Sequence, residues 1–242
     1  MRIGIYGDSF AETYHQSKHI AWFNLLAKFI PNAKITSHGK GGSSVFFSYN
    51  KFLQTHIKYD FIIFLVTDPI RYTKPVNIDG DDIFPHSLRE IEYLLRFQNI
   101  SKSDKVLLEN LKHYYTTIAD EEYNVQMTEL MLDQMEKIHP NIIFFPCFNN
   151  SLMKSRLSAC GLTNNRNSMA SIVEKQSKLL RINDIGLHTE KTNTISCHFS
   201  KEFNQGIASL FASKIINGVW NWSAVNNAVP TEDKSYYYDE GR

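Results

Sequence analysis

An apolar run at the start of the chain, Ile3-Gly4-Ile5-Tyr6, ends at Gly7-Asp8-Ser9-Phe10. A serine directly after a buried strand presents its hydroxyl at the carboxyl edge of a sheet. Backbone N–H groups at the start of a following helix can then hold a developing oxyanion. The same tripeptide also serves as a plain turn with a capping Asp or Ser. Far along the chain stands Cys197-His198-Phe199-Ser200. An imidazole there has the basicity to accept a hydroxyl proton near neutral pH. The competing reading is that Ser200 caps the last helix, with Glu202 in its first turn.

Two shorter motifs lie between these ends. Gly41-Gly42-Ser43-Ser44 comes after a predicted strand, and its glycines let a backbone N–H approach a substrate closely; an ordinary loop has the same composition. Val66-Thr67-Asp68-Pro69 closes the most apolar run. It places a hydroxyl donor at a strand end, or simply turns the chain before proline. Neither GxGxxG nor GxxxxGK[ST] is present, which argues against a nucleotide-binding α/β protein.

Taken in order, the four pieces resemble the blocks of the SGNH/GDSL hydrolase superfamily. Gly7-Asp8-Ser9 is similar to the first block, Gly42 to the second and Thr67-Asp68 to the third, while His198 is similar to the fourth. Ala21-Trp22 and Leu25-Leu26 resemble the Trp and Leu pair of that family's first helix. The resemblance runs over about residues 2 to 216. It implies a serine esterase or acyl hydrolase acting on an ester, O-acetyl or other acyl, with a small-molecule or carbohydrate substrate and no cofactor. Ser9 would be the nucleophile and His198 its base. The oxyanion donors would be the N–H groups of Ser9 and Gly42 and the Thr67 hydroxyl, with Asp8 and Asp68 at the rim of the substrate site.

The chain departs from the pattern twice. Thr67 stands where the family has an oxyanion-donating Asn, and a Thr hydroxyl is shorter in reach. Ile195 stands three residues before His198, where the family has the Asp that orients the imidazole. A carboxylate on the far ring nitrogen fixes the tautomer and stabilises the imidazolium. Without it the site works as a Ser-His dyad, or Asp184, Glu190 or Asn193 supplies the partner, or the protein is a catalytically weak or silent SGNH-like binding module. Acyl transfer uses the same chemistry.

The elements that must position these residues are legible from periodicity. Strands are predicted at Ile3–Tyr6, Ala33–Ser37, Asp60–Val66 and Asn141–Phe145, the last stopped by Pro146. Helices are predicted at Ile20–Phe29, at Ser87–Phe97, over Ser103–Ile138 with a break near Asp120, at Met169–Leu180 and at Glu202–Ile216; Phe52–Ile57 closes another. Pro69–Pro85 and Ser151–Asn167 read as irregular. Alternating strands and helices predict a three-layer α/β/α fold with a central parallel sheet, flavodoxin-like and of SGNH-hydrolase type, whose ligands sit beyond the carboxyl ends of the strands. One domain is expected over residues 1–222. A helical insertion at about 87–138 would act as a cap or oligomer interface, and a tail or oligomer arm would occupy 223–242.

Composition narrows the partners. With 43% hydrophobic residues in 242, the chain can bury a full core, and a net charge of +1 offers no general attraction for nucleic acid or an anionic membrane. Three cysteines, Cys147, Cys160 and Cys197, match no zinc spacing and suit a reducing compartment. The N-terminal apolar run is too short for a signal peptide and no run is long enough to span a bilayer, so a soluble cytoplasmic protein is expected. His15 and His19 share an i, i+4 spacing, but without a Glu after His15 they read as site-rim or surface histidines, and no metal is expected. Asp79-Gly80-Asp81-Asp82 resembles a calcium loop only superficially, lacking the downstream Glu, and reads as a solvated turn. Tyr236-Tyr237-Tyr238 is a candidate contact to a second subunit.

Overall fold

A computed structural model of the chain describes residues 1–12, 21–71, 75–78, 81–85, 88–96, 100–148, 169, 172, 199 and 201–229. Four strands, β1 (Arg2–Tyr6), β2 (Lys34–Ser37), β3 (Phe61–Val66) and β6 (Ile142–Pro146), form a parallel sheet in the order β2-β1-β3-β6. This is the flavodoxin-like order, and the α/β/α arrangement is the one expected. The direction of strand succession reverses between β1 and β3. That switch point is where such sheets open a crevice for ligands.

Alternation along the strands assigns the two faces. Ile3, Ile5, Ile63, Leu65, Ile143 and Phe145 point to one side and pack with α1 (Trp22–Phe29) and α6 (Lys201–Asn217). Tyr6, Ile62, Phe64, Val66 and Phe144 point to the other and pack with α2 (Val45–Thr55) and α5 (Glu121–Ile138). A strand covered on both faces can be apolar throughout, which is why β3 reads Phe-Ile-Ile-Phe-Leu-Val without polar alternation. Trp22 of α1 stacks on Phe211 of α6 with ring centroids 4.8 Å apart, and Phe145 meets Phe211 edge-on at 5.2 Å. Such aromatic pairs add about 0.5–1.5 kcal/mol beyond the area they bury.

Between β3 and β6 the chain forms β4 (Val76–Ile78), β5 (Asp81–Ile83), α3 (Leu88–Leu94) and α4 (Lys102–His113) before α5. The break expected near Asp120 is present. A π-helical turn at Tyr114–Ile118 ends the first stretch, and the Asp120 carboxylate accepts the Tyr123 N–H at 2.9 Å to cap α5. Acidic Glu121 and Glu122 sit in the first turn, where the helix dipole favours them.

Three boundaries differ from expectation. Pro69–Pro85 is not wholly irregular: β4 and β5 pair antiparallel with Ile78 opposite Asp81, so Asp81 lies in a strand where a solvated turn was expected. Helix α2 starts at Val45, where the Ser44 hydroxyl accepts the Phe47 N–H at 3.2 Å and caps it, and Phe52 lies in its last turn as expected. Pro146 ends β6 as a member of it, opposite Val66, on what is an edge strand among those described. Among the described residues past 222, where a tail or arm was expected, α7 (Ser223–Asn226) buries Val225, and Ala228 joins the same core. Of the predicted helix at Met169–Leu180, Met169 and Ile172 are described, both helical and buried in the α1/α6 core. No helix among the described residues is long and apolar enough to cross a membrane.

Candidate functional site

Gly7, Asp8 and Ser9 leave β1 at the switch point. Gly7 has φ +155°, and a Cβ there would lie 2.7 Å from Leu65, so this exit from the strand requires glycine. The chain then turns, with Ala11 N–H donating to the Asp8 carbonyl at 3.0 Å and Glu12 N–H to that of Ser9 at 3.3 Å. Ser9 is half-buried. Neither its hydroxyl nor its N–H takes a partner among the described residues.

The glycine-rich loop after β2 is fastened to this turn. The Gly7 carbonyl accepts Lys40 N–H at 3.1 Å and faces the hydroxyls of Ser43 and Ser48, each donating at 3.3 Å. Glu12, nearly buried, accepts Gly41 N–H at 2.8 Å, and Lys40 lies 3.7 Å from its carboxylate. Ser37 donates its hydroxyl to the Ala11 carbonyl. Gly42, at φ +70°, occupies the left-handed region that favours glycine, and its N–H also has no partner among the described residues. Two backbone donors, on Ser9 and Gly42, are thus held in loops that share one anchor, the Gly7 carbonyl.

Asp8 is not at a rim. It is fully buried, and its carboxylate is surrounded by donors. Oδ1 accepts Phe10 N–H at 3.1 Å and the Cys147 thiol at 3.4 Å. Oδ2 accepts the Thr67 hydroxyl at 3.1 Å and Arg71 Nη1 at 2.9 Å. Four donors match the roughly four lone-pair sites of a carboxylate, so Asp8 has no capacity left for an imidazole. Thr67, expected as an oxyanion donor, has one hydroxyl proton and gives it to Asp8. Cys147 comes directly after β6, its N–H continuing the ladder to the Val66 carbonyl at 2.8 Å. Burial, reinforced by the Asp8 charge, pushes its thiol well above the ordinary range and keeps it protonated. Asp68 is half-buried and closes a turn over Pro69: its carboxylate accepts Ile70 N–H at 3.1 Å and its carbonyl accepts Arg71 N–H at 3.2 Å.

The far end of the chain reaches this place through Phe199. Its ring stacks on Phe10, centroids 5.5 Å apart at 30°. Asn204 on α6 fixes both sides of the contact: its amide donates to the Phe199 carbonyl at 2.9 Å, and its oxygen accepts Trp22 N–H at 2.9 Å. Trp22 Nε1 in turn donates to the Phe10 carbonyl at 2.8 Å. The residue after Ser9 is therefore packed on the residue after His198. His198 itself lies outside the described residues, as do Asp184, Glu190, Asn193, His15, His19 and Tyr236 to Tyr238.

Sequence reading missed Arg71, Glu12, Cys147 and Asn204. Cys147 carried one signal, its place immediately after a buried strand. Arg71, Glu12 and Asn204 carried none, because their partners are distant in the chain.

No protein-family model matches the chain, and no curated protein matches it. Among solved structures it is similar to an acetyl xylan esterase, AlAXEase, with 10% identity and a TM-score of 0.35 over 89% of this chain and 100% of that one. It is also similar to a member of the lipolytic protein G-D-S-L family from Veillonella parvula DSM 2008, with 12% identity and a TM-score of 0.27 over 68% of this chain and 84% of that one.

Proposed function

We propose that the chain is a serine ester hydrolase of the SGNH kind in which Ser9 is the nucleophile and His198 the base. The observation that carries this is the Phe10–Phe199 stack at the carboxyl edge of the sheet. It joins the two chain segments that would have to meet. The Ser9 oxygen attacks the ester carbonyl while its proton passes to His198, and the alcohol leaves with that proton. Water then attacks the acyl-serine, giving a proton to the same imidazole, which passes it to the Ser9 oxygen as the acid is released. The N–H groups of Ser9 and Gly42 hold the oxyanion.

Asp8 already has four donors, so it does not orient His198. The reaction runs as a Ser-His dyad, or with Asp184, Glu190 or Asn193 as third member. The substrate class is an acyl ester of a small molecule or carbohydrate, O-acetyl esters first. The one domain carries the chemistry, with the insertion as a cap that selects the substrate. A second reading, a catalytically silent binding module, draws support from the Thr67 hydroxyl being given to Asp8.

The two readings separate on a short p-nitrophenyl ester. Wild-type protein should hydrolyse it, and Ser9→Ala should lose roughly 10³-fold or more while keeping its circular dichroism spectrum. Absence of hydrolysis across a panel of acyl esters would leave the binding module as the better account.

A further inference from the structure

The family's third block is built to give a side-chain donor to the oxyanion, and in this chain the residue at that position has spent its proton. Four residues later stands Arg71, a cation whose side chain is only 9% exposed. It is held on two sides. Nη1 bonds Asp8 Oδ2 at 2.9 Å, and the guanidinium carbon lies 4.6 Å above the centre of the Phe148 ring. The turn closed by Asp68 fixes its backbone. Arg71 is thereby anchored at the ends of β1, β3 and β6 together, beside the nucleophile's own turn.

A guanidinium has five N–H donors, and the contact to Asp8 uses Nη1. Nε and Nη2 have no hydrogen-bond partner among the described residues. Among those residues the fully buried polar side-chain atoms that lack a partner are His139 Nδ1 and Trp220 Nε1. Nε and Nη2 of Arg71 are therefore not sealed in, and the small uncovered part of the side chain includes them.

The pairing with Asp8 decides what these donors suit. A lone arginine would select a substrate with a permanent negative charge. Here the positive charge is matched by a buried carboxylate, so the pair has no net charge to attract an anion. Its remaining N–H groups are still strongly polarised and rigidly placed. That combination fits an oxygen on which charge appears only in the transition state.

We infer that Arg71 supplies the third oxyanion donor of the Ser9 site, taking the part that Thr67 has given up to Asp8. The inference rests on the ester-hydrolase reading above and adds a catalytic residue to it.

The test compares wild type with Arg71→Lys, which keeps the charge beside Asp8 but loses the planar fork, and with Arg71→Met. Arg71→Met leaves Asp8 without its cation and is at risk of misfolding, so the double variant Asp8→Asn/Arg71→Met, which removes both charges, accompanies it. Two quantities are read on each folded variant: kcat and KM for an aryl acetate, and the ratio of kcat/KM between that ester and its thiono counterpart, whose sulfur accepts hydrogen bonds poorly.

Loss of an oxyanion donor should lower kcat by about 10²–10³-fold with little change in KM. The oxo-to-thiono ratio should shrink towards one in the same variants. A merely structural role would lower activity without moving that ratio. If Arg71→Lys is folded and retains both kcat and the ratio of wild type, the assignment is wrong while the hydrolase reading survives. If wild type turns over no ester and Ser9 takes no fluorophosphonate label, both fall together.

Discussion

The turn after β1 and the segment from β4 to α4 are held in opposite ways. At the turn, polar groups from distant parts of the chain converge: Asp8 alone gathers Thr67, Arg71 and Cys147, and the Gly7 carbonyl gathers Lys40, Ser43 and Ser48. In the β4–α4 segment, five buried apolar side chains, Val76, Ile91, Leu94, Leu108 and Leu111, form a small core of their own. It meets the main body at contacts such as the Phe47–Phe84 ring pair, 5.3 Å between centroids. Directional bonds between charged and polar groups fix atoms to a geometry. Apolar packing tolerates exchange so long as volume is kept. The first region suits a fixed geometry, and the second suits a part whose shape can vary.

The largest effect expected from this contrast is at Asp8. Asp8→Ala removes the partner of a nearly buried arginine, and breaking such a pair costs about 3–5 kcal/mol. Urea unfolding should show a stability loss of that size, together with loss of esterase activity. Next is Leu108→Ala in the small core, which should cost about 2–5 kcal/mol. Hydrogen exchange should place the loosening in α3, α4 and β4 while the amides of β1 and β3 keep their protection. Spread of the defect into the sheet would erase the distinction between the two regions.

Asn204→Ala probes the clamp on Phe199. It leaves the Trp22 N–H and the Phe199 carbonyl unpaired, at about 1–3 kcal/mol for such a group. It should lower kcat more than the stability loss explains, since Phe199 would no longer be held against Phe10.

The smallest effect concerns His38 at the far side of the turn. Its Nε2 lies 2.6 Å from the Tyr59 hydroxyl and its ring stacks on Tyr6 at 4.9 Å. Burial, then Lys51 and Lys58, hold the imidazole below its ordinary value. The unfolded chain therefore takes up the proton first. The stability linked to His38 is fully present above about pH 6.5 and is lost as pH falls below that towards the folded-state value. Urea midpoints measured through this range should slope less in His38→Gln than in wild type.

The placement of the first three motifs was legible because each depends on local signals. An apolar run ends at Gly7 and at Val66 and a weaker, more polar strand ends at Ser37, and a parallel sheet puts the residues after each of them at one edge. The break before α5 was legible for the same reason, since Asp120-Glu121-Glu122 is a helix start. The β4–β5 pairing differs from the expected solvated turn, although Asp79-Gly80 between Ile78 and Asp81 is a two-residue hairpin signal in the sequence. The burial of Asp8 could not be read at all. An aspartate after a glycine is ordinarily a solvated turn residue, and its inversion here depends on Arg71, 63 positions away. Likewise Thr67 looked like a free donor because its acceptor lies across the switch point.

The meeting of Ser9 with His198 is tested most directly by the rate at which a fluorophosphonate labels the protein, with the modified peptide identified by mass spectrometry. Wild type should be modified at Ser9, and His198→Ala, with an unchanged circular dichroism spectrum, should react at that serine slower by roughly 10³-fold. Equal rates in the two proteins, or modification at another residue, would contradict the account.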